Sequence, residues 1–151
     1  MIEVKALSHD FGSRRVLSDV NLTIPQAEIL VVMGTSGGGK TTLLKCISGL
    51  LKPTEGTVTV DGTDVVAEPE QARAKLGLVF QYAALFDFLN VSDNILFGLR
   101  RRRRVSSAEG RELVRQQLEE VGLGEIEHLM PNELSGGMRK RVGLARALVM
   151  E

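Results

Sequence analysis

The segment VVMGTSGGGKTT, residues 31–42, decides how this chain reads. The residues leading into it, 28–33 (EILVVM), form an apolar run closed by Gly34, the pattern expected of a strand buried on both faces. After Lys40, Leu43, Leu44 and Ile47 recur at helical spacing, and Gly49 and Pro53 mark the stop, so a helix is expected from about Gly39 to Ser48. Strand, glycine-rich loop and helix in that order match a phosphate loop, Gly34-Thr35-Ser36-Gly37-Gly38-Gly39-Lys40-Thr41-Thr42. The glycines let backbone N–H groups turn inward around a phosphate chain, in conformations a Cβ would obstruct. The helix start adds a positive dipole end, Lys40 a charge in reach of β- and γ-phosphates, and Thr41 a hydroxyl for Mg²⁺. The competing reading, a glycine-rich turn that binds nothing, leaves the register of these parts without a reason.

Around this loop the pattern is α/β. Ile2, Val4 and Ala6 alternate with polar residues, as do Val20, Leu22 and Ile24, and both stretches read as half-buried strands. Thr57–Val60 alternates and runs into Asp61-Gly62, a hairpin signal, while Gly77–Gln81 reads as another short apolar strand. From Ser92 the period becomes helical. Ser92 is expected to cap a helix bearing Ile95, Leu96 and Leu99. Ser106 and Glu109 form a capping box for a second helix, with Val114, Leu118 and Val121 on one face and Gly122 at its end. Ser135 caps a third, carrying Val142, Leu144, Ala145 and Leu148. The expected organisation is residues 1–91, a nucleotide-binding core with an antiparallel β subdomain, and residues 92–151, a helical subdomain.

Which nucleotide enzyme carries such a loop is settled by a second motif. No Asn-Lys-x-Asp base reader for guanine occurs. Instead Leu134-Ser135-Gly136-Gly137-Met138 precedes basic residues and an apolar-periodic helix, with Ser135 lying 95 residues beyond Lys40. Alone, Ser-Gly-Gly at a helix start is an ordinary N-cap. At this distance from a phosphate loop it resembles the signature sequence of ATP-binding-cassette (ABC) proteins, with Met138 where Gln is usual. The resemblance runs from Ile2 to Glu151. It implies a P-loop ATPase, the N-terminal part of a RecA-like core with an antiparallel β subdomain plus a helical subdomain. It implies ATP and Mg²⁺, bound by Gly34–Thr42. It places Phe11 where an aromatic stacks on adenine, although a core phenylalanine explains that residue equally well. It makes Gln81 the sensor of Mg²⁺ and attacking water; a solvated strand end is the plainer account of that glutamine. It assigns Ser135, Gly136 and Gly137 to the γ-phosphate held by a second, head-to-tail subunit. QYAALFDFLNVSDNI (81–95) and LMPNELSGGM (129–138) further resemble the ATPase subunit of Mce-type lipid transporters, which implies a membrane permease partner and a place at the inner face of the cell membrane.

Composition bounds these readings. Lys+Arg and Asp+Glu are 19 each, so no global field favours nucleic acid. The single cysteine, Cys46, excludes an internal disulfide, and no apolar run reaches the roughly 18 residues of a membrane span. The resemblance also implies an apolar strand ending in Asp-Glu and a later histidine, and neither follows the signature helix before Glu151; His9 and His128 precede it and read as surface or packing residues. The chain is therefore expected to be an N-terminal piece, without turnover of its own. Two function classes stay open: an energy-coupling ATPase subunit, or a non-catalytic nucleotide-binding module. Arg100–Arg104, five arginines in a row, read either as the solvated C-terminal end of a helix or as a contact for an acidic partner or lipid headgroups.

Overall fold

A computed structural model describes residues 1–150, which divide into two compact units, Met1–Leu76 and the residues from Gly77 onward. In the first, β1 (Ile2–Phe11) turns at Gly12 into β2 (Arg14–Ile24), pairing antiparallel from Phe11↔Arg14 to Ile2↔Ile24. β3 (Glu55–Val60) pairs with the other edge of β1, and β4 (Thr63–Asp64) completes the order β2-β1-β3-β4. The β3–β4 turn is the expected Asp61-Gly62, both residues at positive φ (45° and 76°), as a two-residue hairpin with the right twist requires. The N-terminal ammonium pairs with the Asp61 carboxylate, tying the chain's start to that turn.

The alternation in β1 breaks at Ala6, whose φ is 49°. A bulge there turns Ala6 outward and brings Leu7, Ser8 and His9 in as consecutive buried residues. Gly56 lies opposite, where a Cβ would fall 2.4 Å from the Ala6 carbonyl oxygen. Val4, Leu7, Leu17, Val58 and Val60 of the sheet then bury against Leu43, Cys46 and Ile47 of α1 (Lys40–Ile47). Burial raises the Cys46 thiol pKa and leaves it inert. A short α2 (Pro69–Arg73), started by a proline in its first turn, follows β4.

The second unit is helical. α3 (Val91–Arg102), α4 (Ser107–Glu120) and α5 (Gly136–Leu148), with a 3-10 turn at Pro131–Glu133, enclose Val91, Ile95, Leu96, Leu99, Val114, Leu118, Val142 and Ala145. The Ser106/Glu109 capping box forms, Gly122 adopts φ 67° just beyond α4, and Ser135 caps α5 by accepting from the Met138 N–H at 3.2 Å. Leu144 is 42% exposed, outside this core.

Three local expectations are corrected. Residues 28–33 form no strand: Ile29 is 93% and Met33 85% exposed. Nor does the segment 77–81, where Val79 and Phe80 are exposed. A strand buried on both faces needs a ladder on each edge, and among the described residues no strand pairs with either segment. The third correction is a cap. Asn90, not Ser92, starts α3, its Oδ1 accepting from the Asp93 N–H at 2.8 Å.

Candidate functional site

Residues 34–39 lead into α1 as a loop. Gly37 and Gly39 take left-handed backbone, φ 79° and 83°. At Gly39 close packing adds to that demand, because a Cβ would lie 2.9 Å from Leu17 Cδ2 and 3.1 Å from the Val16 carbonyl oxygen. β2 thus fixes where the loop ends and the helix begins. Gly39 caps α1 without a side chain, and the first turn carries no acid. The dipole end therefore stays open to an incoming acceptor. Lys40 Nζ donates to the carbonyl oxygens of Gly34 (2.8 Å) and Thr35 (2.7 Å), and the Gly38 N–H to Thr35 O at 3.2 Å, so the ammonium lies across the loop it serves.

Gly37–Thr42 and Phe11, Arg14 and Val16 line a cleft of about 270 Å³. Its charged lining is two cations, Arg14 and Lys40, without an acid. One wall is the Phe11 ring, 54% exposed at the end of β1. His9, 6% exposed, packs edge-on to that ring at 4.6 Å and 78°, so it is a packing histidine. A helix dipole and two cations favour a polyanion, and an exposed ring beside them offers a face to an aromatic base. The arrangement fits a nucleoside polyphosphate.

In the second unit Gln81 is exposed and precedes a loop in which Ala83 and Ala84 adopt φ 61° and 47°, costly for residues with a Cβ. Arg146 of α5 holds that loop. Its Nη2 donates to Ala83 O (2.6 Å) and its Nη1 to Ala84 O (2.8 Å), while Gly143 admits Ala83, whose Cβ would be 3.0 Å from a Cβ on Gly143. Partial burial lowers the Arg146 pKa, and the two carbonyls compensate its charge. Asn94, fully buried on α3, fixes the following turn: its Oδ1 accepts from the Phe86 N–H (2.8 Å), and its Nδ2 donates to the carbonyls of Phe86, Leu89 and Asn90 at 3.1, 2.8 and 3.0 Å. Neither residue stood out in the sequence. An asparagine between Val91 and Ile95, on the core face of the helix, was the available signal. Asn94→Ala is expected to cost about 2 kcal/mol, because it strands the Phe86 N–H and the Leu89 carbonyl, while the Phe86 and Asn90 carbonyls keep the backbone N–H groups of Leu89 and Asn94. Urea unfolding checks this, and a loss below about 1 kcal/mol would show the network to be dispensable.

Ser135, Gly136 and Gly137 are exposed at the start of α5. A Cβ at Gly136 would meet nothing within 4 Å, and one at Gly137 only Ser135 Oγ at 4.0 Å. Neither glycine has positive φ. Phe88 is 75% exposed, while Leu85 and Phe86 are half-buried. His128 is exposed. Among the described residues no cluster of three or more His, Cys, Asp or Glu is placed to hold a metal, and no helix is long and apolar enough to cross a membrane.

Comparison with known proteins adds to this geometry. Residues 17–151 match the family model described as ABC transporter. Over 154 residues the chain is 46% identical to the probable ribonucleotide transport ATP-binding protein mkl of Mycobacterium leprae (strain TN), covering 99% of this chain and 44% of that protein. It is 42% identical to the glutamine transport ATP-binding protein GlnQ of Escherichia coli (strain K12), covering 100% of this chain and 64% of the relative. It thus spans less than two thirds of either relative's length. A dimeric post-hydrolysis structure of the ATP-binding cassette MJ0796, bound to ADP and Pi, matches with a TM-score of 0.90 at 35% identity, covering 99% of this chain and 69% of that one.

Proposed function

Because this chain belongs to the ABC transporter family, we propose that it is the ATP-binding part of a transporter subunit, holding ATP in the cleft of Gly37–Thr42 and Phe11. The observation that carries the reading is the pairing, in one chain, of a glycine cradle sterically required at Gly39 with an exposed Ser135-Gly136-Gly137 whose glycines answer no internal need. The first suits the chain's own nucleotide. The second suits a phosphate presented from outside, by a second subunit packed head to tail. Lys40 would lie against the β- and γ-phosphates and Phe11 against adenine. The Thr41 hydroxyl would complete the shell of a Mg²⁺ held mainly by phosphate oxygens; the role of Gln81 as sensor of metal and attacking water is proposed from the family resemblance alone. ATP brings a transferable γ-phosphoryl group; the chain's residues bind it, orient it and report its presence by closing the pair of subunits.

The segments 81–95 and 129–138 support a lipid transporter of the Mce type, working at the inner face of the membrane. The names of the two relatives point instead to ribonucleotides and glutamine, so the substrate is the finer part of the proposal. The division at residue 91 is likewise proposed as a functional one, nucleotide core before it and coupling subdomain after it. A non-catalytic nucleotide-binding module is the second reading, favoured if the phosphate loop binds ATP and no permease is engaged.

The permease contact is proposed at the loop and helix from Gln81 to Leu99, where Tyr82 and Phe88 are the large hydrophobic side chains most open to solvent. Cys46 is fully buried, which makes a cysteine placed at position 88 the accessible thiol of the chain. A Phe88→Cys variant is expected to crosslink to a membrane protein in native membranes, and turnover of that assembly to rise with phospholipid. Crosslinks arising only from other surfaces would refute the contact; stimulation by ribonucleotide or glutamine in place of lipid would refute the substrate class.

A further inference from the structure

The cleft beside the glycine loop contains a cation that no motif accounts for. Arg14 opens β2 across the turn from Phe11, its register partner at the end of β1. Its side chain lines the cleft with Phe11, Val16 and the loop residues from Gly37 to Thr42. Two positions along β2, the Val16 carbonyl oxygen lies 3.1 Å from where a Cβ on Gly39 would sit, so this end of the strand packs against the loop. The contact that requires glycine at position 39 therefore also fixes where Arg14 stands.

The adjacent arginine shows how one at this turn serves the fold. Arg15 Nε and Nη2 donate to the two Asp10 carboxylate oxygens at 2.9 and 3.0 Å, and Nη2 donates to Glu55 Oε1 at 3.2 Å. That fork holds the Asp10 carboxyl below its usual pKa, and it occupies both acids of the turn. Arg14 is exposed, and its side chain forms no hydrogen bond or ion pair among the described residues. A guanidinium stays charged at any physiological pH, so a full positive charge stands uncompensated in the cleft. Solvation explains a missing partner. It does not explain why the charge sits beside the exposed Phe11 ring and faces a loop built for anions.

A nucleotide presents its groups in a fixed order: base, ribose, α-, β- and γ-phosphate. With the base on Phe11 and the outer phosphates on the loop and Lys40, the span between them is ribose and α-phosphate. Of these the α-phosphate is the anion, and a guanidinium fork matches two phosphate oxygens at once. We propose that Arg14 is a binding residue for the α-phosphate, so that the cleft selects a nucleoside phosphate over free polyphosphate. The inference rests on the reading of the cleft as a nucleotide site and deepens it. ATP and ADP both carry the α-phosphate, so Arg14 holds both, and only the γ-phosphate distinguishes them.

The test is calorimetry with ATP, ADP and inorganic triphosphate on wild type, Arg14→Gln and Arg14→Lys. Arg14→Gln should weaken ATP and ADP alike by about tenfold and leave triphosphate within about twofold of wild type. Arg14→Lys keeps the charge without the fork and should lose about threefold. The loss in Arg14→Gln should shrink as salt is added, because the contact is between charges. Unfolding in urea should be the same for all three proteins, since the side chain has no internal partner to lose. A change below twofold for ATP overturns the proposal. So does an equal loss for triphosphate or a loss confined to ATP, either of which would put Arg14 on the outer phosphates. A salt-independent loss would assign it to the ribose and overturn the proposal as well. ATP binding that depends on Lys40 but not on Arg14 removes this inference alone, whereas ATP binding indifferent to Lys40 removes the nucleotide reading of the cleft along with it.

Discussion

Lys40→Ala is expected to weaken ATP binding by roughly 30- to 150-fold while leaving the fold intact. The ammonium's hydrogen bonds go to the carbonyls of Gly34 and Thr35 in its own loop, so removing it strips no group from the core around Leu43, Cys46 and Ile47. The loop surrenders its centred positive charge. A charge-assisted contact to phosphate contributes about 2–3 kcal/mol, which is that factor in affinity. Lys40→Arg should not restore binding, because a planar fork does not replace a point charge at the mouth of a narrow loop. Phe11→Ala offers the contrast: its loss should fall on the nucleobase and leave inorganic triphosphate binding unchanged, whereas Lys40→Ala should weaken both ligands. Calorimetry with ATP and with triphosphate decides it. Equal ATP affinity in wild type and Lys40→Ala would remove the phosphate loop from the binding site.

The glycine loop and the start of α1 were legible in the sequence because their geometry constrains residue types one by one. Gly39 cannot carry a Cβ against Leu17 and Val16, and a helix must begin at Lys40. The Ser106/Glu109 box and the Ser135 cap were legible for the same local reason. Residues 28–33 failed as a strand because burial on two faces depends on partners distant in the chain, and an apolar run does not say whether they pair with it. The bulge at Ala6 was hidden because alanine gives no sign of a positive φ, and Gly56, which accommodates it, lies far along the chain. Arg146 drew no notice in the sequence, since a cation in the last turn of a helix is commonplace. Its partners are the carbonyls of Ala83 and Ala84, a loop whose left-handed backbone no residue type announces. Asn90 displaced Ser92 as the cap of α3 because both residues suit the position; Ser92 instead donates its N–H to the Glu127 carbonyl.

The largest separation between stability and function is expected at the start of α5. Ser135→Arg should abolish ATP-driven association of two subunits, but it also removes an N-cap worth about 1 kcal/mol, so alone it confounds assembly with helix stability. Two further substitutions divide the effects. Ser135→Asp keeps a side-chain oxygen for the Met138 N–H and suits the helix dipole, yet it sets a negative charge against any phosphate approaching from outside. Gly136→Ala fills space in which nothing within 4 Å resists it, at a position with no positive φ to relieve. Within the isolated chain it should raise stability by about 0.5 kcal/mol through the lost conformational freedom of the unfolded state. If the open space at Gly136 exists for a γ-phosphate held by the partner, both variants should bind ATP with wild-type affinity, unfold no earlier than wild type, and remain monomeric with ATP in sedimentation velocity. Ser135→Arg should do the same except for its weakened helix. ATP-dependent association of Gly136→Ala at wild-type strength would mean that the bare glycines face solvent for no functional reason, and the second phosphate grip would have to be given up.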